Sequence, residues 1–337
     1  MQVLISNWSN VQSLPERYVF PPDRRPGTHE IPASNEIPII DLEKIDGSER
    51  ANIIRQIITA SQDFGLFQVI NHGVSRDLTD QTMAVFRAFF AAPAEFKARF
   101  YSNDLNSSFR LYTSTLNYEN EEVHYWRDNL TMRCHPIEDH IEHWPENPLN
   151  YRKVIAEYSI ESRKFLLTML ELICDGIGLE SGYFDGEMSK NQLVSVNHHI
   201  PCPDPSLTLG MPEHCDPNLI SMLQQGDVCG LQALKDGQWI GVEPLPGAFV
   251  VIPGLQLRVI SNGKLTSAVH RVVTDLKRPR TTIGTFLTPS NDILIQPADG
   301  LTGSLTPVYR GYTYKEFFNT FTTNNCEAEL ALQCFKL

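Results

Sequence analysis

Two dipeptides, Asp236-Gly237 and Asn262-Gly263, restrict the second half of this 337-residue chain more than any other feature. Both favour the positive-φ turns that join antiparallel strands through two residues. Lys235-Asp236-Gly237-Gln238 predicts a hairpin between residues 231–234 and 239–242. Ser261-Asn262-Gly263-Lys264 predicts a second, between residues 256–260 and 265–270. Residues 249–252 and 282–287 add further strands. Short strands at this spacing point to an antiparallel sandwich or barrel.

The first half reads differently. Residues 1–36 carry Pro21-Pro22 and Pro26-Gly27 and form an irregular arm. Residues 37–42 and 66–70 are short apolar strands. Ile53, Ile54, Ile57 and Ile58 make one stripe on a helix over 48–61, ended by Gly65. Leu78, Val85, Phe86 and Phe89 do the same over 75–90, and Pro93 follows. Residues 101–150 are aromatic-rich and irregular, as segments covering binding sites often are. A long helix spans 151–177 and closes on Gly178, and a last one spans 314–321. Three regions result: a mostly helical 1–190, a β core at 191–295, and a tail at 296–337 with its helix.

Composition narrows the partners. The net charge of −12 argues against broad attraction to nucleic acid or anionic membrane. No apolar run approaches the roughly 18 residues of a membrane span. Residues 1–10 lack the basic and apolar regions of a secretory signal. Seven dispersed cysteines without a CxxC pair fit reduced thiols and a cytoplasmic setting. The expected state is a monomer acting on a small molecule.

Within the β half, His214 and Asp216 lie two apart, so on an extended segment they face one side. His270 follows Asp216 by 54 residues, and Arg280 and Thr282 lie 10 and 12 beyond it. Two imidazoles and a carboxylate are the set that holds non-haem Fe(II) with open positions. Arg280 and Thr282 share a strand face with Gly284 and Phe286 and can grip one carboxylate. An HxD pair alone is weak evidence, and a lone histidine is more often structural. His140 and His143 have helical metal spacing, but sit in an acidic turn. Cys215 alternates with the ligands and should point away from them.

Taken in order, these pieces resemble the plant Fe(II)/2-oxoglutarate-dependent dioxygenases over nearly the whole chain. The resemblance includes residues 37–42, 64–73, Tyr125-Trp126-Arg127-Asp128, residues 197–203, His214-Cys215-Asp216, His270-Arg271-Val272 and Arg280-Thr281-Thr282. Outer motifs such as Cys134-His135-Pro136 and Trp144-Pro145-Glu146 resemble the hyoscyamine 6β-hydroxylase-like members.

The resemblance implies a mainly β fold, a double-stranded β-helix (jelly roll) flanked by helices. It implies that His214, Asp216 and His270 bind Fe(II), and that Arg280, Thr282, Asn197 and His199 seat 2-oxoglutarate. Oxygen would be the second co-substrate and ascorbate a supporting reductant. The reaction implied is oxidative decarboxylation to succinate and CO2 coupled to hydroxylation, desaturation, ring closure or demethylation of a small alkaloid, phenolic or terpenoid. Tyr112, Leu116 and Phe286 are the candidate substrate contacts.

Two departures stand out. Thr282 replaces the family's usual serine, and His199 its usual tyrosine. They motivate the alternative of a non-catalytic protein that binds 2-oxoglutarate or a metabolite on the same fold.

Overall fold

The computed structural model describes residues 4–8, 11–27, 31, 36–302, 306–324 and 327–337. Twelve strands build the core: β1 (Ile39–Asp41), β2 (Phe67–Ile70), β3 (Phe109–Thr113), β4 (Asp128–Arg133), β5 (Asn191–His199) and β6 (Met211–His214), then β7 (Ile220–Gln224), β8 (Leu231–Lys235), β9 (Gln238–Gly241), β10 (Phe249–Pro253), β11 (His270–Val272) and β12 (Arg280–Thr288). They form an eight-stranded sheet, ordered β1-β2-β10-β7-β12-β5-β4-β3, and a four-stranded sheet, ordered β6-β11-β8-β9. Their inner faces meet over Leu231, Ala233, Val250, Ile252, Ala268 and Val272. This is the double-stranded β-helix.

Helices cover the other face of the large sheet. They are α1 (Arg50–Asp63), α2 (Arg76–Ala91), the short α3 (Ala94–Ala98) and α4 (Tyr151–Ile177). Ser75 caps α2 by accepting from the Leu78 N–H at 3.2 Å. Gly178 ends α4 at φ +80°, where the residues after the helix return to the Cys174 carbonyl. The α1 and α4 axes approach closely because Gly176 leaves space for Ile54 and Ile58. This side buries Leu111, Leu130, Val196 and Ile283 of the sheet with Phe86, Phe89, Leu166 and Ile173.

The hairpin at Asp236-Gly237 forms as read. Both residues have positive φ, 50° and 78°, and Lys235 pairs with Gln238. The second hairpin does not form. Residues 256–260 fall in a helix, α5 (Leu255–Ile260), and the strand that reaches His270 begins there instead of at 265. Asn262 and Gly263 do take positive φ, 53° and 81°, but as the helix's end: Gly263 N–H returns to the Arg258 carbonyl at 2.8 Å. The left-handed pair serves a helix C-terminus as well as a hairpin, and five of the six α5 residues are buried, which suits a helix wedged inside the fold.

Residues 101–150 are more regular than their sequence suggests, since β3 and β4 extend the large sheet. Four strands of that sheet precede residue 190, so the jelly roll draws on chain from both sides of that point. The arm packs: Ile5, Tyr18 and Phe20 are buried. After the core come α6 (Asp299–Thr302), α7 (Tyr314–Thr323) and α8 (Ala328–Gln333). Phe317 is buried and Phe318 partly exposed. Six cysteines are free thiols, and Cys326 lies outside the described residues. No helix among the described residues is long and apolar enough to cross a membrane.

Candidate active site

His214 closes β6, Asp216 is the second residue of the loop after it, and His270 opens β11, where it pairs directly with His214. Their ligand atoms lie within 4.8 Å of one another. Asp216 Oδ1 stands 3.6 Å from His214 Nε2 and 3.7 Å from His270 Nε2. The two Nδ1 atoms lie 2.9 Å from the Pro212 carbonyl and 3.0 Å from the Ala268 carbonyl. A carbonyl only accepts, so each Nδ1 carries the proton and each Nε2 offers a lone pair. Burial, with His270 beside it, holds His214 down to about 4, so the ring stays neutral. Two imidazoles that turn Nε2 toward one carboxylate fit Fe(II) by their donor chemistry and spacing. Cys215 points away, with its Sγ on the Ser267 carbonyl at 3.5 Å.

The second half of the site lies on β12 and β5. Arg280 pairs with His199 and Thr282 with Asn197. Arg280 is buried, donates from Nε to the Val228 carbonyl at 3.1 Å, and leaves Nη1 buried without a protein partner. Burial depresses it to about 10, so it remains charged near neutrality. Gly230 makes the cradle: a Cβ there would meet Arg280 Nε at 2.9 Å. An orphaned buried guanidinium beside a strand hydroxyl fits the distal carboxylate of a dicarboxylic acid. His199 is buried, held well below its ordinary range by burial and by Arg280 and Arg127, and packs on Gly210.

Register places the other predicted residues. Tyr112 pairs with Asn129, Asn129 with Asn197, and Asn197 with Thr282, so one row crosses four strands. Tyr112 thus shares the face that carries Thr282. Phe286 shares it too, with its ring folded over Gly284. Leu116 lies in the turn beyond β3, outside the sheet. His140 links two short 3-10 turns, His143 ends the second, and His140 Nδ1 meets Ser108 Oγ at 3.1 Å. Among the described residues, the three ligands above are the one grouping of such side chains able to hold a metal.

Two residues of the site escaped sequence reading. Ser221 on β7 donates to Asp216 Oδ2 at 2.5 Å. Arg127, just before β4, donates to Asn197 Oδ1 at 2.9 Å. Arg127 belongs to a recognisable motif, whereas Ser221 has no sequence signal beyond its spacing.

Comparison with known proteins decides the family. A family model described as 2OG-Fe(II) oxygenase superfamily matches residues 190–289, and one described as non-haem dioxygenase in morphine synthesis N-terminal matches 37–150. Hyoscyamine 6-dioxygenase of Hyoscyamus niger is 42% identical, covering 100% of this chain and 99% of its own. The chain belongs to the 2OG-Fe(II) oxygenase superfamily. Flavanone 3-dioxygenase 2 of Oryza sativa subsp. japonica is 39% identical over 96% of this chain and 94% of its own. JOX2, solved in complex with 2OG, Fe and JA, superposes with a TM-score of 0.82 at 32% identity, covering 94% of this chain and 91% of that one. As a member of this superfamily, the protein is a 2-oxoglutarate-dependent dioxygenase that uses Fe(II).

Proposed function

We propose that His214, Asp216 and His270 hold the Fe(II), and that Arg280 and Thr282 hold the distal carboxylate of 2-oxoglutarate, with Asn197 and His199 framing its seat. The substrate is a small, partly apolar specialised metabolite, and hydroxylation is the principal outcome. The observation that carries this reading is the pairing of a complete ligand cluster with a buried Arg280 whose Nη1 has no protein partner.

When bound, iron and 2-oxoglutarate supply the oxidising power, with release of succinate and CO2. The protein's own part is ligation, orientation and exclusion of water. The paired Nδ1 bonds fix both imidazoles. Arg280 supplies a charge that burial has already desolvated, so an arriving carboxylate meets little competing water. Thr282 keeps the hydroxyl of the family's serine. His199 offers a ring wall where tyrosine would offer a hydroxyl. Tyr112 and Phe286 give the same face its aromatic lining, in keeping with pockets that are apolar with a few placed polar groups. Leu116 would close the rim from its turn.

Relatives named for hyoscyamine and for flavanone share this chain's full length, which supports a common reaction on unlike substrates. The net charge of −12 and the free thiols support a monomer working in the cytoplasm. The test is succinate formation by Fe(II)-loaded protein with 2-oxoglutarate and a panel of metabolites. A panel member that raises succinate and gains one oxygen supports the reading. Folded, iron-loaded protein that forms no succinate with or without any panel member overturns it.

A further inference from the structure

Arg127 is the second buried cation of the site, and no carboxylate of the described residues lies within ion-pairing distance of it. The residue is 7% exposed. Its Nε donates to the Ser114 carbonyl at 3.0 Å and its Nη1 to Asn197 Oδ1 at 2.9 Å. Both acceptors are neutral. The bond to Asn197 places the guanidinium on the face that carries Thr282, because Asn197 and Thr282 are register partners. Asp128 pairs with His198, so Arg127 stands level with His199, whose other neighbour is Arg280. Two guanidiniums therefore flank one neutral imidazole.

A buried unpaired charge costs several kcal/mol unless a counter-charge arrives. Arg280 has this property because the co-substrate supplies its anion. One dicarboxylic acid, with its distal carboxylate on Arg280 and its other end at iron, does not also answer Arg127. The half-buried acid of the polar segment beside Arg127 is already engaged. Glu121 spends both oxygens on Ser114, Thr115 and His124. Arg110 adds a further buried guanidinium on β3, in the row next to Tyr112, and it too has no ion pair among the described residues. A cationic amine entering between these strands would meet the buried guanidiniums of Arg127 and Arg280.

We infer that Arg127 is a substrate-binding residue that receives the anionic group of the primary substrate, which is therefore a small carboxylic acid and not an amine. This rests on the oxygenase reading of the site. The Tyr125 ring, 5.7 Å from the Arg127 guanidinium, supports the cation from its other side.

The test is anaerobic calorimetric titration of full-length protein loaded with Fe(II) and saturating 2-oxoglutarate. The probes are three molecules of one shape: 3-phenylpropionate, 3-phenylpropionamide and 3-phenylpropylamine. Wild type is expected to bind the acid at least tenfold more tightly than the amide, and the amine most weakly. Arg127→Gln should level acid and amide, and Arg127→Lys should keep most of the preference. Wild type that treats acid and amide alike, or prefers the amine, overturns the inference without recourse to any variant. An Arg127→Gln variant that keeps the full acid preference also overturns it, since another group would then receive the anion. Wild type that binds no 2-oxoglutarate overturns the oxygenase reading, and this inference with it, before a probe is added.

Discussion

Ser221 Oγ donates to Asp216 Oδ2 at 2.5 Å, while the other oxygen, Oδ1, faces both histidine Nε2 atoms. One hydrogen bond from the large sheet thus sets which carboxylate oxygen faces the two imidazoles. Outer partners of this kind change metal affinity by about 10- to 100-fold when removed. Ser221→Ala is expected to weaken Fe(II) binding by that range, measured by competition with a calibrated chelator. Unchanged affinity would mean that Asp216 is held by other contacts.

Thr282 separates two contributions to co-substrate binding, its hydroxyl and its extra methyl. A hydrogen bond to a charged group is worth about 1.5–3 kcal/mol, or roughly 10- to 100-fold. Thr282→Val should therefore raise the KM for 2-oxoglutarate by roughly tenfold or more. Thr282→Ser, which restores the family's residue, should stay near wild type. Equal values for serine and valine would remove the hydroxyl from the binding scheme.

Gly254 lets α5 clamp the metal loop from behind. A Cβ on it would lie 2.0 Å from the Asn218 carbonyl oxygen. The N–H groups of Gly254, Leu255 and Gln256 go to the carbonyls of Leu219, Asp216 and Asn218. Its φ of −82° is open to any residue, so close approach and not backbone freedom requires glycine here. Gly254→Ala is expected to lower both the melting temperature and iron retention. Alanine tolerated on both measures would show that the loop can yield.

His198 sets a pH dependence away from the ligands. It stacks on Phe90, and its Nδ1 lies 2.9 Å from Thr281 Oγ1. Burial, then Lys97 and Arg87, lowers it from 6.5 to about 4. The unfolded chain therefore takes a proton that the folded chain refuses. Stability from this group is complete above pH 6.5 and is lost as pH falls toward 4, by about 3 kcal/mol in all. His198→Asn cannot be charged in either state. Urea unfolding between pH 7.5 and 4.5 should show a shallower acid loss in the variant, whatever its stability at neutral pH. Parallel curves would contradict the buried neutral ring.

The clustering of His214, Asp216 and His270 and the burial of Arg280 were legible because spacing two apart on extended chain and strand alternation fix side-chain direction regardless of tertiary detail. The helices α1, α2 and α4 were legible through their apolar stripes. β3 and β4 were not, for a physical reason. Their inner face carries Arg110, Tyr112, Asn129 and Thr131, and a buried face made of polar groups reads as loop. α5 was misread because a left-handed Asn262-Gly263 pair ends a helix as readily as it turns a hairpin. Arg127 and Ser221 meet Asn197 and Asp216 only through the folded arrangement of the strands.

Asp216→Ala tests the central assignment most directly. The measurements are iron content after anaerobic reconstitution and succinate formed from 2-oxoglutarate, with a melting curve taken in chelator to confirm the fold. The ligand cluster predicts a folded variant that keeps no stoichiometric iron and forms no succinate. A folded variant that retains iron, or still turns over 2-oxoglutarate, would contradict the placement of the metal at His214, Asp216 and His270.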